Sequence, residues 1–289
     1  MSPGSTVFSY VAILTLLFGL PLGRLALYSA GSDLHSHILL VPFVSAYILH
    51  ERRRSLPPPG RRALWPALPF VLGGLAAAAI GLFWGTSLST GDYLASMALS
   101  YVSLLAAGGF LLRGRAWMRA AGFPFAFLVF LVPLPDSAVH WLEQGSMYAS
   151  AEAAALYFWL AGTPLVRDGT LFELPGITLQ VAQECSGIRS SWVLFVTSII
   201  ASNMFLKSGW RRLALVAFVI PLGILRNGLR VFVLGILSVR FGPNILDTAI
   251  HHRGGILFFA LSLVPLFGLL WCLRRGERVD VYGRSRSAA

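Results

Sequence analysis

At 289 residues, with 56% hydrophobic and only 12% charged side chains, the chain is not an ordinary soluble domain, for which about 25% charged residues is typical. Mean hydropathy is +0.72, and several apolar runs approach the ~20 residues that a bilayer core demands. The net charge of +11 does not point to nucleic acid, because the basic residues fall in short clusters between apolar runs and no separate basic domain exists.

The expected fold is an all-α polytopic membrane protein of about eight transmembrane helices. Residues 7–27 read as the first span, with Pro21 and Arg24 near its far end. It lacks a basic leader and a small-residue cleavage site, so it reads as a retained span rather than a signal peptide. A polar turn over 31–35 precedes a short second span over 37–50, then a basic, proline-rich loop over 51–62. Residues 65–85 form the third span, rich in the Gly and Ala that permit close helix approach. After a turn over 86–92, residues 93–112 return to a loop bearing Arg113, Arg115 and Arg119.

Residues 123–134 lead back across and end in Pro133-Leu134-Pro135-Asp136. Residues 137–161 keep helical spacing but carry His140, Glu143 and Glu152, which predicts an interfacial amphipathic helix. Asp168-Gly169 between alternating flanks, and Pro175-Gly176 before residues 177–181, are hairpin signals for a small extracytoplasmic β-element. Three further spans follow over 186–205, 213–237 and 255–273, with a loop over 238–250 between the last two. The whole reads as a single membrane domain over 1–276 with a basic cytoplasmic tail over 277–289.

Charge bias orients these spans. The four loops and tails assigned to the cytoplasm hold 16 of the 23 basic residues, which favours both termini in the cytoplasm. Three unusual segments then share the outer face: Glu184-Cys185-Ser186-Gly187-Ile188-Arg189, Arg226-Asn227-Gly228-Leu229-Arg230 and His251-His252-Arg253-Gly254-Gly255. Ionisable groups at such depths are expensive and mark functional sites.

Cys185 is expected at the N-terminal end of a helix, with Arg189 four residues on and on the same face; both favour a thiolate. The other cysteine, Cys272, falls at the opposite end of a predicted span, ~30 Å away and too far for a disulfide. Against this stands a packing role, common for buried free cysteines, and Glu184 would raise the thiol pKa unless an arginine neutralises it. Arg226 and Arg230 share a helix face, with Arg230 about 17 residues, or ~25 Å, from the inner end of its span. They could form a fork for a carboxylate or an oxyanion, or pair structurally with Glu184 and Asp247. His251 and His252 are candidates for general acid and base. No metal is expected, since no H-x-x-x-H or C-x-x-C spacing occurs, and no cofactor is called for. Together the three segments hold a nucleophile, an electrophilic stabiliser and an acid/base group for acyl transfer.

The chain resembles the exosortase/archaeosortase family of polytopic transpeptidases over residues 36–259. The resemblance rests on Ser36-His37 leading into Leu39-Leu40-Val41-Pro42, on Pro133-Leu134-Pro135, and on Gly162-Thr163-Pro164-Leu165-Val166-Arg167-Asp168-Gly169. It rests also on Cys185-Ser186-Gly187-Ile188-Arg189, on Asn227-x-x-Arg230 with Val231, and on His251-x-x-x-Gly255. It implies a multi-pass protein of the bacterial inner membrane whose extracytoplasmic Cys/Arg/His site cuts the C-terminal sorting signal of exported, membrane-tethered proteins. That signal comprises a short motif resembling PEP-CTERM, a transmembrane helix and a basic tail. By the resemblance Cys185 is the nucleophile, Arg230 the family arginine and His251 the family histidine, with Glu184, Arg189, Arg226, Asn227 and His252 supporting or substrate-binding. Glu184 departs from the small residue usual before the cysteine. Membrane lipids are the other expected partners. The rival reading is a transporter or anion-binding protein lined by Arg189, Arg226 and Arg230, in which Cys185 is dispensable.

Overall fold

A computed structural model describes residues 3–32, 34–181, 187–242 and 249–286; of residues 3–4, 249–256 and 278–286 only the helical backbone is described. The described chain is helical apart from one small sheet, and it divides into two compact units, Met1–Val139 and His140–Ala289. Five helices are long and apolar enough to cross a membrane, or up to seven if each of two bent helix pairs counts as one span. The chain is therefore an all-α polytopic membrane protein, with fewer single-helix spans than the eight expected.

The shortfall has local causes. The first apolar run is two helices, α1 (Pro3–Leu17) and α2 (Gly19–Ala30), bent by 70° at Phe18. Pro21 has no backbone N–H to donate, and it sits in the first turn of the new helix, where that N–H has no intrahelical partner to lose. The second run is a 3-10 turn (Ser36–Leu40) and an 11-residue helix, α3 (Val41–Glu51). At 1.5 Å per residue α3 covers about 16 Å, half of a bilayer core.

In the first unit α4 (Leu64–Trp84) packs along α5 (Thr90–Arg113). Gly74, Ala77 and Gly81 form the buried stripe of α4. A Cβ on Gly74 would lie 2.9 Å from Leu104 Cγ, and one on Gly81 would collide with Met97. The small residues are what let the two backbones approach. Two short helices, α6 (Arg115–Ala120) and α7 (Gly122–Phe127), and a 3-10 turn (Leu128–Leu131) follow.

Different contacts join the elements at the two ends of this unit. At one end the N–H groups of Gly60 and Ala63 donate to Arg113 O and Phe110 O, at 3.0 and 3.2 Å, which joins the two arginine-rich loops. At the other, Asp136 N donates to Asp92 Oδ1 (3.1 Å), and the Tyr28 and His35 rings lie 5.3 Å apart.

The second unit begins with most of α8 (Asp136–Leu160). Its sheet is a three-stranded antiparallel meander, β1 (Val166–Asp168), β2 (Leu171–Leu174) and β3 (Ile177–Gln180), one strand more than a hairpin. Gly169 and Gly176 supply the positive φ that its two turns need, +58° and +81°. Phe172, Leu174 and Val181 pack with Phe158 of α8 and Val231 of α10 (Gly209–Phe241). Across from this core, α9 (Ile188–Phe205), α10 and α11 (Ala249–Arg286) bury Leu194, Leu215, Leu222 and Leu266 together. Of the expected 238–250 loop, residues 238–241 belong to α10 and residues 249–250 to α11.

Where α9 turns into α10, the Glu277 carboxylate accepts the backbone N–H groups of Lys207 (3.0 Å) and Ser208 (2.7 Å). It caps the N-terminus of α10 from another helix, as an anion suits that end of the dipole.

Candidate active site

The site is built on the N-terminus of α9. That helix starts at Ile188, two residues later than expected, because Gly187 adopts the left-handed conformation (φ +71°, ψ +7°) and acts as its N-cap residue. Such a residue does not belong to the helix, so α9 proper begins at Ile188. Arg189 is exposed in the first turn of α9. Cys185 and Glu184 lie outside the described residues. The chain on either side of them is anchored: Val181 is buried and its N–H donates to Thr170 O (3.0 Å), while Gly187 sits on α10.

That second contact is close. A Cβ on Gly187 would lie 2.7 Å from Asn227 Cγ and Oδ1, so only glycine satisfies both the backbone angle and the packing. Asn227 is 2% exposed and forms the floor beneath the turn. One turn nearer the helix start, Gly223 leaves room for Ser191, whose Oγ would be 2.6 Å from a Cβ there. Gly223 and Asn227, four apart on α10, thus seat the first turn of α9.

Arg226 ties this contact together. Its Nη2 donates to Gly187 O at 3.0 Å and to Ser191 Oγ at 3.2 Å. Gly187 O also accepts from Ser190 Oγ and from Ser191 N, both at 3.1 Å, the latter being the first helical bond of α9. Arg226 is 7% exposed and its Nη1 is buried with no hydrogen-bond partner among the described residues. A buried guanidinium is costly unless its donors are used, and here the Nη2 side of the fork is spent on the turn.

Arg230, one turn further along α10, is half-buried and has interactions of its own. Residues four apart share a helix face, so Arg226 and Arg230 present two guanidinium groups along one side of α10. His251 and His252 fall in the first turn of α11, and their side chains lie outside the described residues. Of the expected site residues, then, Arg226 and Asn227 meet directly at Gly187, Arg230 is their helical neighbour, and Arg189 stands on the adjoining helix.

Ser191 and Gly223 were not among the expected site residues. The signal for Gly223 was present, since a glycine four residues before Asn227 on a predicted span marks a close helix approach. Ser191 carried no such signal, because its partner is 35 residues away and the pairing depends on how α9 meets α10.

A family model described as Transmembrane exosortase (Exosortase_EpsH) matches residues 27–268, which include Cys185, Arg230 and His251. No curated protein and no solved structure matches. With the family model covering most of both units, and with the turn after Cys185 seated on the helix of Asn227 and Arg230, the chain belongs to the transmembrane exosortase family.

Proposed function

We propose that this exosortase-family protein is a cysteine transpeptidase that cuts a C-terminal sorting signal at the outer face of the bacterial cytoplasmic membrane. The observation that carries the reading is the clamp of Arg226 and Asn227 on Gly187, which fastens the turn after Cys185 to the helix that bears Arg230. Two peptide units separate Gly187 from Cys185, a reach of at most about 7.6 Å between Cα atoms. Cys185 precedes the start of α9 at Ile188 by three residues, and the N-terminal end of a helix favours an anion nearby, which supports a thiolate at Cys185.

In the proposed reaction the Cys185 thiolate attacks the scissile carbonyl carbon, forming a C–S bond and a tetrahedral oxyanion. Arg230 stabilises that negative charge. As the oxyanion collapses, the C–N bond breaks and His251 donates a proton to the leaving amine. A thioester then links Cys185 to the N-terminal part of the substrate. His251 accepts the proton of the incoming nucleophile as that acceptor displaces the thiolate. Arg226 acts as a positioning residue through Gly187. Glu184, Arg189 and His252 are proposed as contacts for the substrate motif.

The membrane contributes to specificity in this reading. Both termini lie in the cytoplasm, and a substrate helix held in the same bilayer presents its motif at the height of Cys185. Recognition then becomes largely a matter of position. The test is co-expression with exported proteins of the same host that end in a short motif, an apolar helix and a basic tail. Wild type should remove the C-terminal segment, and Cys185→Ala, Arg230→Gln and His251→Gln should leave it in place. Processing by Cys185→Ala would refute the proposal.

A further inference from the structure

The proposed reaction makes no use of an apolar groove of 790 Å³ in the first unit. Helices α1 and α2 form one wall, α3 the other and α5 the back, while α6 and α7 close one end. Polar groups reach it at few points. Thr15 and Tyr101 satisfy each other at 3.0 Å. Arg113 stands at the closed end, its guanidinium 5.6 Å from the Trp117 ring and its Nε buried without a hydrogen-bond partner among the described residues.

An arginine at the last turn of a helix ordinarily serves that helix's own free carbonyls. Here that task is already taken. Gly114 N and Ala63 N donate to Phe110 O, and Gly60 N donates to Arg113 O. The surrounding loops, residues 51–62 and 113–119, hold eight arginines against the single acid Glu51. The groove therefore combines a long apolar slot with a strongly cationic end.

Size limits the occupant. A transmembrane helix about 10 Å wide and 30 Å long fills about 2,400 Å³, three times the groove. The volume lies within the 300–1,000 Å³ usual for small-ligand sites. From Tyr101 to Arg113 the slot follows α5 for about 18 Å, a length suited to an alkyl chain. Basic pockets between membrane helices recognise anionic lipid headgroups. We infer that this groove binds one anionic glycerophospholipid, with an acyl chain lying between α1 and α3 and the phosphate at Arg113.

The full-length protein, purified in detergent, tests this by native mass spectrometry and thermal unfolding. The probes are dioleoylphosphatidylglycerol, dioleoylphosphatidylcholine and glycerol phosphate. Wild type should retain one phosphatidylglycerol about fivefold better than phosphatidylcholine, the preference expected of a single arginine contact, and should unfold at a higher temperature with it bound. Glycerol phosphate alone should do neither, which separates a lipid site from a free-phosphate site. Arg113→Gln should abolish the preference while Arg113→Lys keeps it. Ala46→Trp, which fills the groove from α3, should reduce retention of both lipids and keeps the test open if Arg113→Gln does not fold. Equal retention of the two lipids by wild type, unchanged phosphatidylglycerol preference in Arg113→Gln, or full retention in Ala46→Trp would overturn the inference.

Discussion

Replacing Arg226 with glutamine separates positioning from stability. The variant loses the contacts of Nη2 to Gly187 O and Ser191 Oγ. Hydrogen bonds from a charged donor are worth about 1.5–3 kcal/mol each, so about 3–6 kcal/mol of local contact is forfeited. Two terms offset this for the protein as a whole. Burial of a guanidinium costs several kcal/mol, and Arg230 one turn away is a like charge whose repulsion is relieved. Gly187 O is not orphaned either, since Ser190 Oγ and Ser191 N still donate to it. The loss therefore falls on the turn and the relief falls on α10. In a Cys272→Ser background, which leaves Cys185 as the single thiol, Arg226→Gln should shift the unfolding midpoint by no more than about 4 °C. Iodoacetamide alkylation of Cys185 and processing of a sorting-signal reporter should each fall about 100-fold, equivalent to about 2.7 kcal/mol. Arg226→Lys keeps the charge but not the planar fork, and should lie between the two. A folded Arg226→Gln protein whose thiol reacts within about threefold of wild type, less than about 0.7 kcal/mol, would refute the positioning role of Arg226.

Gly187→Ala places a side chain in the left-handed region and against Asn227, so it should destabilise by about 1–2 kcal/mol from the backbone alone and reduce processing. Asn227→Ala should restore part of that loss in a double-mutant cycle, since it removes the Cγ and Oδ1 atoms nearest the new Cβ. Gly228→Ala would bring a Cβ to 2.9 Å from Ala154 N, which is backbone and cannot swing aside, and should lower the unfolding midpoint by an amount equivalent to about 1–3 kcal/mol. His35 is held below its ordinary pKa of 6.5, first by burial and then by the neighbouring His37, with Asp136 opposing. The unfolded chain therefore binds more protons than the folded one near and below pH 6.5, so stability should fall as pH drops from 7.5 to 5.5. His35→Gln should flatten that dependence in a thermal-unfolding series.

Elements set by local chemistry were legible from residue order. Asp168-Gly169 and Pro175-Gly176 announced both turns of the sheet, since each glycine supplies a positive φ. The third and fourth spans fell within three residues of α4 and α5, because uninterrupted apolar runs leave little choice of helix. Features that depend on one backbone angle or on a distant partner were not legible. Hydropathy carried residues 7–27 straight through Phe18, where Pro21 starts a new helix. It likewise began α9 at Ser186, because apolar periodicity does not register a left-handed Gly187. Arg226 was recognised as unusual for its depth, but its task lies 39 residues away at Gly187 and follows only from the packing of α9 on α10.

In the proposed reaction Cys185 forms a thioester with the substrate. Co-expression of the full-length enzyme with a sorting-signal reporter, followed by acid quench, tryptic digestion and mass spectrometry, measures it directly. A hydroxylamine-labile adduct between the reporter's N-terminal fragment and the peptide containing Cys185 should be present in wild type and missing from Cys185→Ala. Processing of the reporter by Cys185→Ala, or an adduct mapped to another side chain, would contradict the proposed reaction.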